Sequence, residues 1–240
     1  DSGDGTSRLA QRITLFGSVL GAVAAALVMI DLSRRYVRER WACVGAAAAV
    51  VATPLLWYAI YQPSFSHAAS ALAVALFVWA WDRGRGDRGL RGWAGLGALL
   101  GWVALIRPQM LVWWAIYGSP LTVPQGEEFL RWDASKWSFA LFSSRNGLIS
   151  WTPLVGLSLV GLWILARRRR ARALALGLLG VLAAEAYVNG AVDDWWGGWA
   201  FGGRRLVGCT GVFGLGCAAL LGGVAEALGP RPRAAGAGGG

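Results

Sequence analysis

The residues able to do chemistry gather in a few short stretches between apolar runs. The densest is Tyr187–Arg205, which holds the adjacent carboxylates Asp193 and Asp194, the tryptophans Trp195, Trp196 and Trp199, Arg204, Arg205 and five glycines. Adjacent acids suit a divalent cation or proton transfer, and equally a helix start, where free N–H groups favour negative charge. Arg145 lies in Ser143-Ser-Arg-Asn-Gly, ahead of a helix start bracketed by Gly147 and Pro153. An arginine and two serines beside unpaired N–H groups make an anion cradle fit for phosphate; the alternative is an arginine snorkelling to lipid headgroups. Arg107 sits within an apolar run and precedes Pro108. A charge at membrane depth is expensive and marks a functional position by default, while the proline frees backbone groups toward a polar interior. His67 is the only histidine, with Ser66 and Ser70 one turn apart beside it. It reads as a hydrogen-bonded structural residue or as a base. Glu185 adds a carboxylate within a further apolar run.

These residues need elements to position them, and composition says which kind. Of the 240 residues 56% are hydrophobic and 15% charged, with mean hydropathy +0.48. That balance points to an all-α, polytopic membrane bundle. A span needs roughly 20 mostly apolar residues, and the candidates are about 13–31, 42–61, 64–81, 93–117, 148–166, 173–188 and 206–228. Seven spans follow. The net charge of +10 does not indicate nucleic acid, because fifteen of the 23 basic residues lie in 33–40, 82–91, 167–172 and at Arg231 and Arg233. Alternating spans put all four segments on one side, which the positive-inside rule makes cytoplasmic.

The opposite side then holds the polar stretches above and the loop Gly118–Ser138, whose mixture of Phe129, Leu130, Trp132 and Trp137 with charges fits a short interfacial helix. Trp57, Tyr58, Trp79, Trp81, Trp93, Trp113 and Trp114 read as an interfacial belt. Gly17-x-x-x-Gly21 and Gly97-x-x-x-Gly101 read as ordinary close helix packing. Cys43, Cys209 and Cys217 have no metal-ligand spacing and read as small core residues. The segment 229–240 has the composition of a disordered tail, which leaves 1–228 as the membrane domain.

The run Asn189-Gly-Ala-Val-Asp-Asp-Trp-Trp-Gly-Gly-Trp-Ala-Phe-Gly-Gly-Arg-Arg, with Leu141-Phe-Ser-Ser-Arg-Asn-Gly-Leu-Ile-Ser-Trp-Thr-Pro, Ser64-Phe-Ser-His-Ala and Arg107-Pro-Gln, resembles bacterial polytopic glycosyltransferases of the GT-C type. These are relatives of protein O-mannosyltransferases and lipid A aminoarabinose transferases, and the resemblance covers about residues 5–225. It implies a GT-C-like bundle in the bacterial inner membrane that transfers a sugar, generally with inversion, from a polyprenyl-phosphate-linked donor to a glycan, lipid or protein acceptor on the non-cytoplasmic face. In such enzymes an acidic residue in the first outer loop is the base or a metal ligand. Asp1-Ser-Gly-Asp-Gly-Thr-Ser resembles only the end of that loop. The base, the first span and most of that loop are therefore expected upstream, the chain is expected to be a fragment, and no catalytic role passes to Asp1 or Asp4.

What carries over is the donor surround. Arg145, Arg204 and Arg205, with Arg107, are expected at the lipid phosphate, where arginines neutralise existing and developing charge. Trp195, Trp196 and Trp199 suit sugar faces or prenyl chain, and Asp193, Asp194 and His67 suit sugar or lipid contacts. No cofactor is expected with certainty, a divalent metal ion being the one candidate. Two other classes compete: a transporter or lipid flippase, suggested by Arg107, Glu185 and proline-broken spans, and a non-catalytic membrane subunit.

Overall fold

The computed structural model describes residues 7–106, 109–119, 125–198 and 200–228. Arg107, Trp199 and the segment 229–240, each given a role or character above, lie outside them. Regular structure among the described residues is helical, with one isolated antiparallel bridge between Leu130 and Val192.

Among the described residues three helical runs are long and apolar enough to cross a membrane: α1 (Arg8–Ser33), α10 (Arg172–Ala191), and the run Arg204–Leu228, which starts as a 3-10 turn and continues as α11 (Thr210–Leu228). A fourth arises if α2 (Glu39–Ala52) and α3 (Leu55–Tyr61), bent by 59°, act as one span. The other expected spans are shorter or divided. The candidate 64–81 becomes α4 (His67–Arg83), 93–117 becomes α5 (Leu90–Leu105) and α6 (Gln109–Tyr117), and 148–166 becomes α8 (Leu148–Trp151) and α9 (Pro153–Ala166). Two of these breaks have the same cause. Thr53 and Thr152 each precede a proline, whose ring pushes the preceding residue out of the helical region; their ψ angles are 163° and 76°.

α11 packs along α2 on one side and α9 on the other, while α1 lies along α4 and α10 along α9. In lipid, helices gain nothing from hiding apolar surface from one another, so close backbone approach carries the association. Gly161 shows how close: a Cβ there would lie 1.8 Å from the Gly216 carbonyl oxygen. The glycine pairs expected to do this do not. Gly17, Gly97 and Gly101 have nothing within 4 Å of an added Cβ, and Gly21 only ordinary contacts with Ala68. Buried Ser158 adds a polar tie, its Oγ 2.8 Å from both the Leu154 and Phe213 carbonyl oxygens.

The helices alternate in direction, and this brings the arginine-rich connections to one end. There Arg168 donates to the Tyr36 carbonyl at 3.1 Å and Arg85 to the Arg170 carbonyl at 3.4 Å, tying 34–38, 84–88 and 167–172 together. The keystone is buried Asp82, which accepts from Arg35 (2.8 Å), the Tyr36 hydroxyl (2.6 Å) and Arg85 (2.5 Å). The polar stretches 137–152 and 189–206 lie at the other end.

The loop before α7 (Trp137–Phe142) differs from the interfacial helix expected of it. Its described part contains two 3-10 turns, Glu127–Phe129 and Trp132–Ala134, held to the end of α10 by backbone bonds. Arg131 N donates to the Ala191 carbonyl at 2.8 Å, Lys136 N to Gly190 at 2.8 Å, and Asp193 N to Phe129 at 2.9 Å. Bonding to α10 replaces the internal bonds that a free interfacial helix would make.

Candidate anion-binding site

The site grows from a tight turn between α7 and α8. Gly147 N donates to the Ser143 carbonyl at 3.0 Å, and Asn146 enters the left-handed region at φ 61°, which asparagine tolerates better than most side chains. Trp151 Nε1 donates to the Ser144 carbonyl at 2.8 Å and Ser150 Oγ to Phe142 at 2.7 Å, so the turn is fixed on both sides. Asn146 then reaches across. Its amide donates to the Trp196 carbonyl at 3.0 Å and the Ala200 carbonyl at 3.1 Å, clamping the glycine-rich loop that follows α10. That loop turns at Gly197 (φ 78°), Gly198 (φ 65°) and Gly202 (φ 61°), backbone conformations that favour glycine.

A second clamp comes from α10. Asn189 donates to the Trp195 carbonyl at 3.2 Å and accepts from Arg205 at 3.0 Å, while Arg205 also pairs with Asp194. Between the clamps lies a shallow surface recess, lined by Asn146, Asn189, Trp195, Trp196, Arg204 and Arg205 among others. The Arg145 guanidinium lies over the Trp196 ring, 4.1 Å from its centroid. Arg204 runs along Gly197, where a Cβ would sit 3.4 Å from its Nε.

The three arginines therefore divide. Arg205 already holds a carboxylate and an amide, so it braces the loop rather than awaiting an anion. Among the described residues Arg145 and Arg204 have no carboxylate within 4 Å. Arg204 lines the recess with Trp195 and Trp196, and Arg145 stacks on the Trp196 ring beside it, an arrangement suited to an anion next to a flat or apolar group.

The other sequence candidates sit elsewhere. Asp193 is exposed and leans to Lys136 at 3.9 Å. With Asp194 held by Arg205, the two acids point to different cations, and no group of three or more possible ligands that could hold a metal occurs among the described residues. His67 is buried in an aromatic cluster, its ring centroid 4.2 Å from Tyr58 and 5.9 Å from Phe65. Its neighbour Tyr58 touches the loop, the hydroxyl donating to the Phe201 carbonyl at 3.2 Å. Tyr58 is thus a core residue at 2% exposure instead of a member of the interfacial belt.

Asn146 and Asn189, which clamp the loop, are the residues of this site that sequence reasoning missed. A signal for the first existed in Arg145-Asn-Gly, since asparagine before glycine favours a left-handed turn. None existed for the pairing of Asn189 with Arg205. Comparison of the chain with protein-family models, curated proteins and solved structures finds no match.

Proposed function

We propose that this recess holds the phosphate of a polyprenyl-phosphate-linked sugar, and that the protein is a GT-C-type glycosyltransferase with about seven membrane spans. The sugar passes to a glycan, lipid or protein acceptor on the non-cytoplasmic face of the bacterial inner membrane, with the arginine-rich end in the cytoplasm. One observation carries the reading. Arg145 and Arg204, without carboxylate partners among the described residues, flank two indoles at the end of an apolar bundle opposite its arginine-rich end. A lipid phosphate arrives at that depth with a prenyl chain in the hydrocarbon and a sugar in water. Guanidiniums match the phosphate, and indoles match the sugar face or first isoprene units.

The residues divide the work accordingly. Arg145 and Arg204 bind the donor and stabilise the phosphate charge that grows as the sugar leaves. Arg205, Asp194, Asn146 and Asn189 hold the loop in place. None of them is assigned the role of base.

The test is transfer from radiolabelled polyprenyl-phosphate sugars in membranes containing the full-length gene product. Labelled lipid or glycan product from wild type, lost in Arg145→Ala and Arg204→Ala, is expected. Absence of any transfer, with both variants binding donor as wild type does, would overturn the proposal. Movement of labelled lipid between leaflets without sugar transfer would favour a flippase.

A further inference from the structure

At the end away from the recess, residues 31–40, 82–91 and 166–172 with Glu226 carry thirteen arginines against five carboxylates. Four of those carboxylates are already paired: Glu39 with Arg34, Asp31 with Arg83, Asp82 with Arg35 and Arg85, and Glu226 with Arg168. Arg38, Arg40, Arg167, Arg169, Arg170 and Arg172 are exposed and have no carboxylate within 4 Å among the described residues. Since hydrogen bonds tie the three turns together, this excess charge forms one surface.

Its depth is marked by indoles. The Arg40 guanidinium lies 4.8 Å from the Trp41 ring centroid, Arg88 4.9 Å from Trp93 and Arg167 6.0 Å from Trp163. From that ring the helices continue directly into exposed apolar faces, Leu157 and Val160 on α9, Leu176 and Val181 on α10, Val23 and Leu27 on α1. A ligand of this end therefore meets guanidiniums and apolar side chains at successive depths. A soluble phosphate or a nucleic acid satisfies only the first.

The geometry points to a binding surface for anionic phospholipids, with headgroup phosphates on Arg167, Arg169 and Arg170 and acyl chains along α9 and α10. Each basic residue near an anionic bilayer surface contributes a factor of about five in association, and salt weakens the effect. This surface is separate from the recess and does not depend on the sugar-transfer reading.

The experiment is lipid counting on the full chain in nanodiscs of mixed phosphatidylglycerol and phosphatidylcholine. Phosphatidylglycerol is expected to be enriched around wild type, and R169Q/R170Q to lower the enrichment by about fivefold per arginine. Both side chains are exposed, and the Arg170 contact to Arg85 uses only its backbone carbonyl. R8Q/R12Q, which removes the same charge from the far end of α1, should leave the enrichment unchanged. Equal enrichment in R169Q/R170Q, or an equal loss in R8Q/R12Q, would overturn the proposal. So would displacement of the lipid by short duplex RNA, which would assign the surface to nucleic acid.

Discussion

Removing the Asp82 carboxylate should loosen the arginine-rich end. Its side chain is 1% exposed and accepts three charge-assisted or hydroxyl hydrogen bonds, from Arg35, Tyr36 and Arg85. In Asp82→Ala two guanidiniums and a hydroxyl lose their acceptor together. Breaking a buried ion pair costs about 3–5 kcal/mol. Arg35 and Arg85 are 34% and 24% exposed, so water recovers part of that, and a cost of about 3 kcal/mol is expected. Asp82→Asn keeps the volume and one acceptor oxygen but loses the charge, and should cost about 1.5 kcal/mol. Arg34→Ala is the comparison. It breaks a pair whose members are 46% and 67% exposed, worth at most about 1 kcal/mol. Reversible unfolding in mixed micelles with a denaturing detergent gives all three differences. The reasoning is refuted if Asp82→Ala unfolds within about 0.5 kcal/mol of wild type, or no earlier than Arg34→Ala.

Burial, and then the hydrogen bond to Asp82, push the Tyr36 hydroxyl from its ordinary 10.0 up to about 12. The folded protein holds this proton more tightly than the unfolded chain, so the stabilisation is complete below pH 10 and is lost as pH rises toward about 12. Unfolding curves should show that loss in wild type and not in Tyr36→Phe; identical curves would contradict it. Gly161→Ala should destabilise by about 3 kcal/mol or more, because its Cβ would drive α9 away from α11, whereas Gly97→Ala, open on all sides, should be neutral or gain up to about 1 kcal/mol. Asn146→Ala should be less stable than Asn146→Gly by about 1 kcal/mol, both losing the same two bonds but only alanine resisting φ 61°. Equal stability of the two variants would place the asparagine's value in its side chain alone.

The helical class and the cores of α1, α10 and α11 were legible in hydropathy, because apolar runs bounded by arginines leave the chain few other structures. The meeting of the arginine-rich turns was legible from alternation alone. Hydropathy failed where it averages across a break: Thr53-Pro54 and Thr152-Pro153 lie inside windows that score as continuous spans, although each proline was in plain view. The small-residue pattern failed for another reason. Gly97 and Gly161 look alike in sequence, and only the partner helix decides which is pressed against a carbonyl.

At the candidate site, Arg145, Arg204 and Trp196 stood out by residue type, but the different pairing of the arginines did not. Arg205 differs from Arg204 only in what folds back to meet it, Asp194 and Asn189. Likewise His67 reads in sequence as either a structural residue or a base, and its burial against Tyr58 and Phe65 is visible only in the fold. Long-range pairing of this kind leaves no local periodicity to read.

The central claim is that Arg145, Arg204 and Trp196 form a lipid-phosphate site, and titration of a polyprenyl monophosphate into the purified chain, followed by tryptophan fluorescence, tests it most directly. Saturable binding is predicted, weakened roughly 10–100-fold in Arg145→Ala and in Arg204→Ala, as expected for one charged hydrogen bond lost. Arg131→Ala, at an exposed arginine whose backbone N–H bonds the Ala191 carbonyl and whose side chain pairs with no carboxylate among the described residues, should bind as wild type. Equal affinity in all four proteins would contradict the claim.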